Sequence, residues 1–180
     1  MTPLVLRGRR VTLRPIRADE LEVLYQGLLA HSEDTPFRPN RARLRRRIEQ
    51  SGHLTRGRLA LGIDVGGRLV GDIAARQSPD SLPPGVFDVG IDLFDPADRG
   101  RGYGTEAVAL VTDHLFAELG AARVQGSTAV SNIAMRRVFE RLGFVEEGVM
   151  SAFMPRSDGG RDDYVLYART IDGPREARAV

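Results

Sequence analysis

The 180-residue chain contains neither cysteine nor lysine. The absence of cysteine excludes disulfides, thiol catalysis and cysteine-ligated zinc. The absence of lysine excludes a Schiff-base lysine and the lysine of a Walker phosphate loop. The longest apolar runs are only a few residues, and Met1 to Arg7 contain no long apolar core followed by a small-residue cleavage site. We therefore expect no membrane span, no signal peptide and a cytoplasmic location.

What remains is the composition of an ordinary folded domain, with 42% hydrophobic, 28% charged and 6% aromatic residues. A chain of this length buries roughly 70% of the surface that it exposes when unfolded, so it needs no structural metal. All 26 basic residues are arginine, and the formal net charge is +2. Because no repeat or shift in composition divides the chain, we expect a single domain over 1–171 and a flexible tail over 172–180.

Hydrophobic periodicity predicts an alternation of strands and helices. Strands are predicted over 11–16, 59–65, 68–74, 86–93, 123–129, from 144 onward and over 161–170. Helices are predicted from Asp19, from Asn40, over 105–119 and over 132–142. Gly66 and Gly67 supply the positive φ angles of a tight hairpin between the second and third strands.

Charge is distributed unevenly along the chain. Residues 38–58 hold eight arginines and a single acid, whereas residues 72–98 hold six aspartates and a single arginine. The arginine-rich helix lacks the interleaved aromatic residues of a nucleic-acid site, so we interpret it as a solvated face and expect no nucleic-acid partner. The acidic stretch is expected to attract cationic amines. His31, His53 and His114 lack metal-ligand spacing, so we interpret them as surface residues and expect no metal.

The stretch Asp98-Arg-Gly-Arg-Gly-Tyr-Gly-Thr-Glu106 lies between a predicted strand and the longest predicted helix. Its glycines allow a tight turn and leave the N–H groups of the first helical turn accessible. Those N–H groups and the helix dipole favour phosphate, and Arg99 and Arg101 add positive charge. The alternative is a glycine-rich turn that only connects a strand to a helix.

Two motifs together resemble the GNAT superfamily of acetyl-CoA-dependent N-acetyltransferases. Arg99-Gly-Arg-Gly102-Tyr-Gly104 is similar to the diphosphate loop of that family, Arg/Gln-x-x-Gly-x-Gly/Ala. The segment from Asn132 to Phe144 resembles the Asn-x-x-(small)…Glu-Lys-x-Gly-Phe segment. Leu13-Arg-Pro-Ile and Phe87-Asp-Val-Gly-Ile are similar to the subgroup of ribosomal-protein N-terminal and polyamine acetyltransferases. The resemblance therefore covers nearly the whole chain.

The resemblance implies an α/β (α+β) fold. Its mixed, mostly antiparallel central sheet has about seven strands and helices on both faces, and its fourth and fifth strands run parallel and splay apart at a bulge. It implies that the pantetheine of coenzyme A pairs with the backbone of Leu93 and Phe94. The diphosphate would lie on the loop residues Arg99, Gly100, Arg101, Gly102, Tyr103, Gly104 and Thr105. Asn132 would contact the cofactor, cap its helix, or do both. The resemblance also implies a homodimer, because members of this subgroup often form dimers.

The implied activity is direct transfer of an acetyl group from acetyl-CoA to a primary amine of a small molecule or a protein N-terminus. Asp88 is the preferred general base because it lies eleven positions before Arg99, where some family members carry a glutamate. Asp92 shares its strand face and is the second candidate, and Asp72 on the preceding strand is a weaker one. The alternative for Asp88 and Asp92 is a pair of solvated carboxylates.

The proton donor is where the sequence departs from the family. Many members have tyrosine at the position of Phe139, and the ribosomal-protein subgroup often has serine at the position of Met135. The alternatives are Tyr164, Tyr167, Ser131, or protonation of the leaving thiolate by water, since a thiol pKa near 8.5 makes it a tolerable leaving group. This departure supports a second hypothesis, a catalytically weak acyl-CoA-binding or regulatory module on the same fold.

Overall fold

The computed structural model describes residues 2–32, 34–77 and 82–173. Its strands are β1 (Leu6–Arg7), β2 (Thr12–Arg14), β3 (Arg58–Val65), β4 (Arg68–Arg76), β5 (Val86–Leu93), β6 (Arg123–Ala129), β7 (Val145–Pro155) and β8 (Arg161–Thr170). Its helices are α1 (Leu21–His31), α2 (Arg41–Glu49), α3 (Tyr103–Glu118) and α4 (Ile133–Arg141), and short 3-10 turns span Ala18–Glu20 and Pro96–Asp98. Most of the tail predicted over 172–180 lies outside the described residues.

The strands form one sheet in the order β1-β2-β3-β4-β5-β6-β8-β7. The predicted mixed, mostly antiparallel sheet is confirmed, with eight strands rather than about seven. The additional strand is β1, whose two residues pair with β2 and are too few to show a periodic pattern.

Strands β5 and β6 run parallel and are paired only at one end. Their paired positions finish at Asp88 and Gln125, although β5 continues to Leu93 and β6 to Ala129. We call the gap beyond this last pair the wedge. It corresponds to the predicted separation of the fourth and fifth strands.

The expected bulge in β5 is not found in the described part of the sheet. The register of β5 against β4 is continuous from Asp88 opposite Arg76 to Leu93 opposite Gly71. Strand β6 meanwhile stays paired with β8 as far as Ala129, opposite Tyr164. The wedge therefore opens because β5 follows β4 and β6 follows β8 while the sheet twists.

The helices cover both faces of the sheet, as predicted. One apolar cluster joins α1 and α2 to Leu69 of β4, and the larger cluster joins α3 and α4 to Val70. Because neighbouring strand residues point to opposite faces, the two helix pairs lie on opposite sides. Val89 of β5 belongs to the α3–α4 cluster, so Asp88 and Asp92 face α1 and α2. No helix in the described ranges is long and apolar enough to cross a membrane.

Candidate active site

The glycine-rich loop after β5 is shaped by two left-handed glycines. Gly100 has a φ of +74° and Gly102 a φ of +83°, conformations that side chains with a Cβ rarely adopt. Just before them, the buried Asp98 carboxylate accepts two hydrogen bonds from Arg68, at 2.8 and 2.9 Å. The Arg68 guanidinium lowers the pKa of Asp98. The loop is thus tied to the turn of the β3–β4 hairpin.

Helix α3 begins directly after Gly102, which caps it without a side chain. The first intrahelical bond runs from the N–H of Glu106 to the carbonyl of Gly102, at 3.0 Å. The N–H groups of Tyr103, Gly104 and Thr105 precede it and form the open end of the helix. A Cβ at Gly104 would be 3.8 Å from Ile91 and Leu93, which is ordinary contact. Packing therefore does not require this glycine, and its missing side chain leaves space beside the helix N-terminus.

A cleft of about 630 Å³ lies at the open end of the wedge, between β5, the loop and α4. We call it the wedge cleft. Nine of the twelve predicted site residues line it, namely Asp92, Leu93, Arg99, Gly100, Gly102, Tyr103, Gly104, Thr105 and Asn132. Phosphate groups would meet the helix N-terminus and Arg99 there, so the residues present fit a diphosphate.

The placement of Phe94 corrects the expectation for the pantetheine. Its N–H donates to the carbonyl of Val70 at 3.0 Å, and its ring packs against Gly27 of α1. The backbone groups of successive strand residues point in opposite directions, so those of Ile91 and Leu93 face the wedge. Pairing with an extended ligand would therefore use Ile91 and Leu93, not Phe94.

Arg101 also departs from its predicted role. Its Nε donates to the carbonyl of Ala97 at 2.9 Å, which turns the side chain back onto the preceding 3-10 turn. It does not line the wedge cleft. Arg101 therefore contacts the loop backbone and is not directed at the ligand.

His31 is exposed at the end of α1, as expected for a surface or helix-flank residue, and it also lines the wedge cleft. Its Nε2 is 3.0 Å from Nη2 of Arg99, and its Nδ1 is 2.9 Å from the carbonyl of Gly27. A guanidinium only donates, so Nε2 must accept and Nδ1–H must donate, which is the neutral Nδ1–H tautomer. His31 thereby connects the end of α1 to the loop. The contact joins residues 68 positions apart, so no local pattern could have indicated it.

Residues 9–11 of the N-terminal segment contact the first turn of α3, which follows the loop. The Glu106 carboxylate accepts hydrogen bonds from the N–H groups of Arg9, Arg10 and Val11, at 2.7 to 2.9 Å. Burial would raise the pKa of Glu106, but these three bonds outweigh it and hold the pKa below its usual value. They also place Arg10 beside Gly102, where a Cβ would lie 3.4 Å from Nη1 of Arg10. Arg10 is a further positive charge at the loop that sequence reasoning missed.

Asn132 is placed for both of its predicted roles. Its Oδ1 accepts from the N–H of Met135 at 3.1 Å and caps α4. The residue is exposed and lines the wedge cleft together with Met135.

Asp88 lies at the vertex of the wedge, in the last pair that joins β5 to β6. Its side chain is 30% exposed, and its Oδ2 is 3.1 Å from Nη2 of Arg76. Burial raises the pKa of Asp88, and the Arg76 guanidinium opposes this effect without cancelling it. A carboxylate with a raised pKa is a stronger base than an exposed one.

Asp92 and Asp72 lie directly opposite each other on β5 and β4. Asp92 is half-buried and lines the wedge cleft, whereas Asp72 is buried and forms an ion pair with Arg47 of α2. Burial lowers the pKa of Arg47 to about 10. Asp72 therefore holds α2 against the sheet, and Asp88 and Asp92 are the carboxylates beside the wedge.

The tyrosines differ in what their hydroxyls contact. Phe139 is buried and stacks on Tyr167, with ring centroids 5.3 Å apart. The hydroxyl of Tyr167 accepts from Arg136 and contacts Glu140 and Glu146, within 3.2 Å. Those contacts occupy it outside the wedge cleft, which argues against Tyr167 as the proton donor.

Tyr164 lies on the opposite face of β8 from Tyr167, because the adjacent Val165 belongs to the α3–α4 cluster. It shares the face of Asp92 across the wedge. Burial raises the pKa of Tyr164, and Asp162 and Asp92 raise it further. The phenol therefore keeps its proton at neutral pH. Ser131 is exposed in the turn before α4.

Among the residues that the structure describes, no group of three or more His, Asp or Glu side chains could hold a metal ion. The arrangement is instead a phosphate-binding loop beside an open edge of a strand, with carboxylates and a tyrosine on the face towards α2. Such a site suits an extended phosphorylated ligand and proton transfer.

Comparison with known proteins gives this fold and site a family. The model of the acetyltransferase (GNAT) domain matches residues 10–145. The chain belongs to this family of acetyltransferases, which take acetyl-CoA as cosubstrate. The resemblance inferred from the two motifs is thus confirmed.

Individual relatives match to different extents. "Probable N-acetyltransferase YjcK" of Bacillus subtilis (strain 168) is 40% identical over 57 residues, which is 32% of this chain and 32% of that protein. The Mycobacterium smegmatis RimJ structure in complex with CoA-disulfide has a TM-score of 0.78 at 22% identity, over 94% of this chain and 88% of that one. The structure of RimL, a ribosomal L7/L12 α-N-protein acetyltransferase in complex with coenzyme A, has a TM-score of 0.78 at 17% identity, over 95% and 100%. At these identities the two structures show the shared fold.

Proposed function

We propose that this protein is an N-acetyltransferase that moves the acetyl group of acetyl-CoA directly to a primary amine of a small molecule or a protein N-terminus. The wedge cleft carries this proposal. It combines the glycine loop, the open N-terminus of α3, Arg99 and Asn132 at the unpaired edge of β5 in a GNAT chain.

Each part of the wedge cleft has a distinct task in this proposal. The N–H groups of Tyr103, Gly104 and Thr105 hold the diphosphate, with Arg99 beside them. The backbone of Ile91 and Leu93 pairs with the pantetheine as an added strand would. When bound, acetyl-CoA supplies an acetyl thioester as the group to be transferred.

Asp88 acts as the proton acceptor for the incoming amine. An alkylamine has a pKa of roughly 10 and is mostly protonated at neutral pH, so it must lose a proton before it attacks. Asp88 lies where the wedge closes, and burial makes it more basic. Tyr164 is the proton donor, because it shares the sheet face of Asp92 and its raised pKa keeps the phenol protonated.

Release of the coenzyme thiol upon incubation with amines tests the activity. Because the chain contains no cysteine, every thiol that reacts with a thiol-specific reagent comes from coenzyme A. We expect thiol release that depends on the amine, together with the mass gain of one acetyl group in the acceptor. Binding of acetyl-CoA without release across polyamines, aminoglycosides and N-terminal peptides would instead identify the catalytically weak acyl-CoA-binding module.

We also propose that the protein forms a homodimer in the cytoplasm. Strand β7 is an edge of the sheet, and it exposes Val145, Val149 and Phe153 at 45%, 54% and 45%. The free side of an edge strand, together with exposed apolar side chains, favours pairing with another chain. Sedimentation equilibrium at micromolar concentration should give twice 19.8 kDa, and a value near 19.8 kDa would contradict the dimer. Recovery of the tagged chain with membranes or medium would contradict the location.

A further inference from the structure

A second groove, of about 370 Å³, lies on the α1–α2 face of the sheet. Five arginines line it, namely Arg38, Arg43, Arg46, Arg47 and Arg58, and its other lining residues are neutral. We call it the arginine groove. Arg43 and Arg46 belong to the exposed side of α2, and Arg58 begins β3.

The positive charge of this groove is largely uncompensated. Among residues 2–32, 34–77 and 82–173, the ion pair between Arg47 and Asp72 is the only one that any of the five arginines makes. Burial lowers the pKa of Arg58, and the neighbouring Arg76 lowers it further by repulsion. Like charges gathered in one groove repel each other, so an anionic ligand would stabilise the arrangement.

The arginine groove reaches the proposed active site through a single side chain. Arg47 lines the groove and binds Asp72, which lies opposite Asp92 in the register of β4 and β5. Asp92 in turn lines the wedge cleft. The groove and the carboxylates Asp88 and Asp92 therefore lie on the same face of the sheet.

The charges of the acidic stretch are partly neutralised by arginines, which weakens the attraction of cationic amines expected from the sequence. Asp72, Asp88 and Asp98 are each paired with an arginine, namely Arg47, Arg76 and Arg68. Asp80 lies outside the described residues. The charge of the arginine groove is less compensated, since one ion pair serves its five arginines among the described residues.

We infer that the arginine groove binds the acidic side chains of a peptide whose N-terminal amine is the acetyl acceptor. This inference rests on the proposed function and narrows its acceptor class. Arginine guanidinium groups match carboxylates in fork-to-fork geometry. Arg43 and Arg46 lie three residues, or ~4.5 Å of helical rise, apart along α2. Alternate side chains of an extended peptide are spaced by roughly 6.6 Å, so two acidic side chains can be bound together. A small acid with one anionic group would use only part of the groove.

Fluorescence anisotropy tests the groove without relying on catalysis. The probes are two peptides of equal length with a free N-terminal alanine and a C-terminal dye, one followed by glutamates and the other by glutamines. We expect the glutamate peptide to bind at least about tenfold more tightly at low salt, with the difference shrinking as salt rises. The R43Q/R46Q double variant should lose most of this preference.

The matched control is Arg45→Gln, which removes the same charge from an exposed residue of α2 that does not line the groove. It should change the affinity by less than about twofold. Equal affinity for the two peptides, or an equal loss in the Arg45→Gln variant, would overturn the inference. Displacement of the glutamate peptide by phosphoserine or by a short single-stranded RNA at similar concentrations would also overturn the peptide as the occupant.

Turnover with the same peptides separates this inference from the function on which it rests. In the R43Q/R46Q variant, we expect the KM for the glutamate peptide to rise about tenfold while the Kd of acetyl-CoA is unchanged. Acetylation of the glutamine peptide in preference to the glutamate peptide would overturn the inference and leave the acetyltransferase intact. Tight binding of the glutamate peptide without acetylation of any peptide or small-molecule amine would overturn the proposed function and leave the groove as a peptide-binding site.

Discussion

The wedge cleft and the arginine groove lie on one sheet but are built from different chemical groups. The wedge cleft is formed largely by backbone, namely the first turn of α3, two left-handed glycines and the open edge of β5. The arginine groove is formed by long side chains from α2 and β3, one of which crosses to Asp72 on β4.

This difference separates cofactor binding, which we assign to the backbone of the wedge cleft, from acceptor selection, which we assign to the side chains of the arginine groove. Backbone N–H groups bind the same phosphates whatever side chains surround them, so a short glycine pattern suffices to specify the wedge cleft. Side-chain charges can change one by one without altering the fold. We therefore expect the side chains of the arginine groove, and not the wedge cleft, to distinguish this chain from other members of the family.

The largest effect is expected when a side chain is placed in the backbone-built cleft. Gly104→Val should lower the affinity for acetyl-CoA by at least about a hundredfold, because the added group occupies the space beside the helix N-terminus. Gly104 has no positive φ, and a Cβ there meets only ordinary contacts, so the variant should fold. Isothermal titration calorimetry measures the change.

The matched control is Ala117→Val, which adds a branched side chain to an exposed position of the same helix. Its affinity for acetyl-CoA should equal that of the unmodified protein. A folded Gly104→Val variant with unchanged affinity would show that the wedge cleft does not hold the diphosphate.

On the acceptor side, Asp88→Asn should lower kcat by roughly a hundredfold, because the amide keeps the shape but cannot accept the proton. Affinity for acetyl-CoA should stay unchanged, since Asp88 does not line the wedge cleft. Steady-state kinetics and a binding titration measure the two quantities. Asp158→Asn is the control, because it also removes a carboxylate paired with an arginine, in the exposed β7–β8 turn.

A rise in KM with an intact kcat would mean that Asp88 attracts the acceptor electrostatically and takes no proton. Unchanged kcat and KM would show that Asp88 is a solvated strand residue, and Asp92 would then be the candidate proton acceptor.

Removing the contact between Glu106 and the N-terminal segment should have a smaller effect, and we expect that effect on the free energy of unfolding. Glu106→Gln should lower the free energy of unfolding by about 1–2 kcal/mol at neutral pH, because it removes charged hydrogen bonds to three N–H groups. The folded state lowers the pKa of Glu106, so its contribution is present above the ordinary value of 4.5 and is lost as the pH falls through the folded pKa. Urea denaturation at several pH values measures the difference.

The difference between the two proteins should therefore be largest at neutral pH and should shrink below about pH 4.5. Glu118→Gln at the exposed end of α3 is the control and should be nearly neutral. A difference that grows on acidification would refute the assigned sign.

The smallest expected effect is a displacement of the pH profile. If Asp88 is the base, it must be ionised, so kcat/KM should fall as the pH drops through the pKa of Asp88. Arg76→Gln removes the cation that opposes the effect of burial, so the pKa should rise and the acidic limb should move to higher pH. A limb that stays in place or moves to lower pH would exclude Asp88 as the titrating base.

Residues in continuous patterns could be predicted from the sequence, whereas contacts between distant segments could not. Alternation predicted the observed bounds of β6 and β8, whereas α3 begins at Tyr103, two residues before the predicted start at Thr105. The parallel pairing of β5 and β6 came from the family resemblance, since spacing does not encode which strands pair.

The misplaced residues share one physical cause, which is that their partners are far away in the chain. Phe94 turns from the wedge because its N–H pairs with Val70. His31 lies on the surface as predicted, but its contact with Arg99 depends on where α1 ends. Three aspartates of the acidic stretch form ion pairs with arginines of α2 and β4. Each of these depends on tertiary register, which composition and periodicity do not report.

The central claim is that acetyl-CoA binds in the wedge cleft through backbone N–H groups and not in the arginine groove. Titration of isotope-labelled protein with acetyl-CoA, followed by amide chemical shifts, tests it directly. We expect small amide shifts at Arg43 and Arg46 and the largest shifts at Ile91, Leu93, Tyr103, Gly104 and Thr105. Shifts concentrated on α2, or none in the first turn of α3, would contradict it.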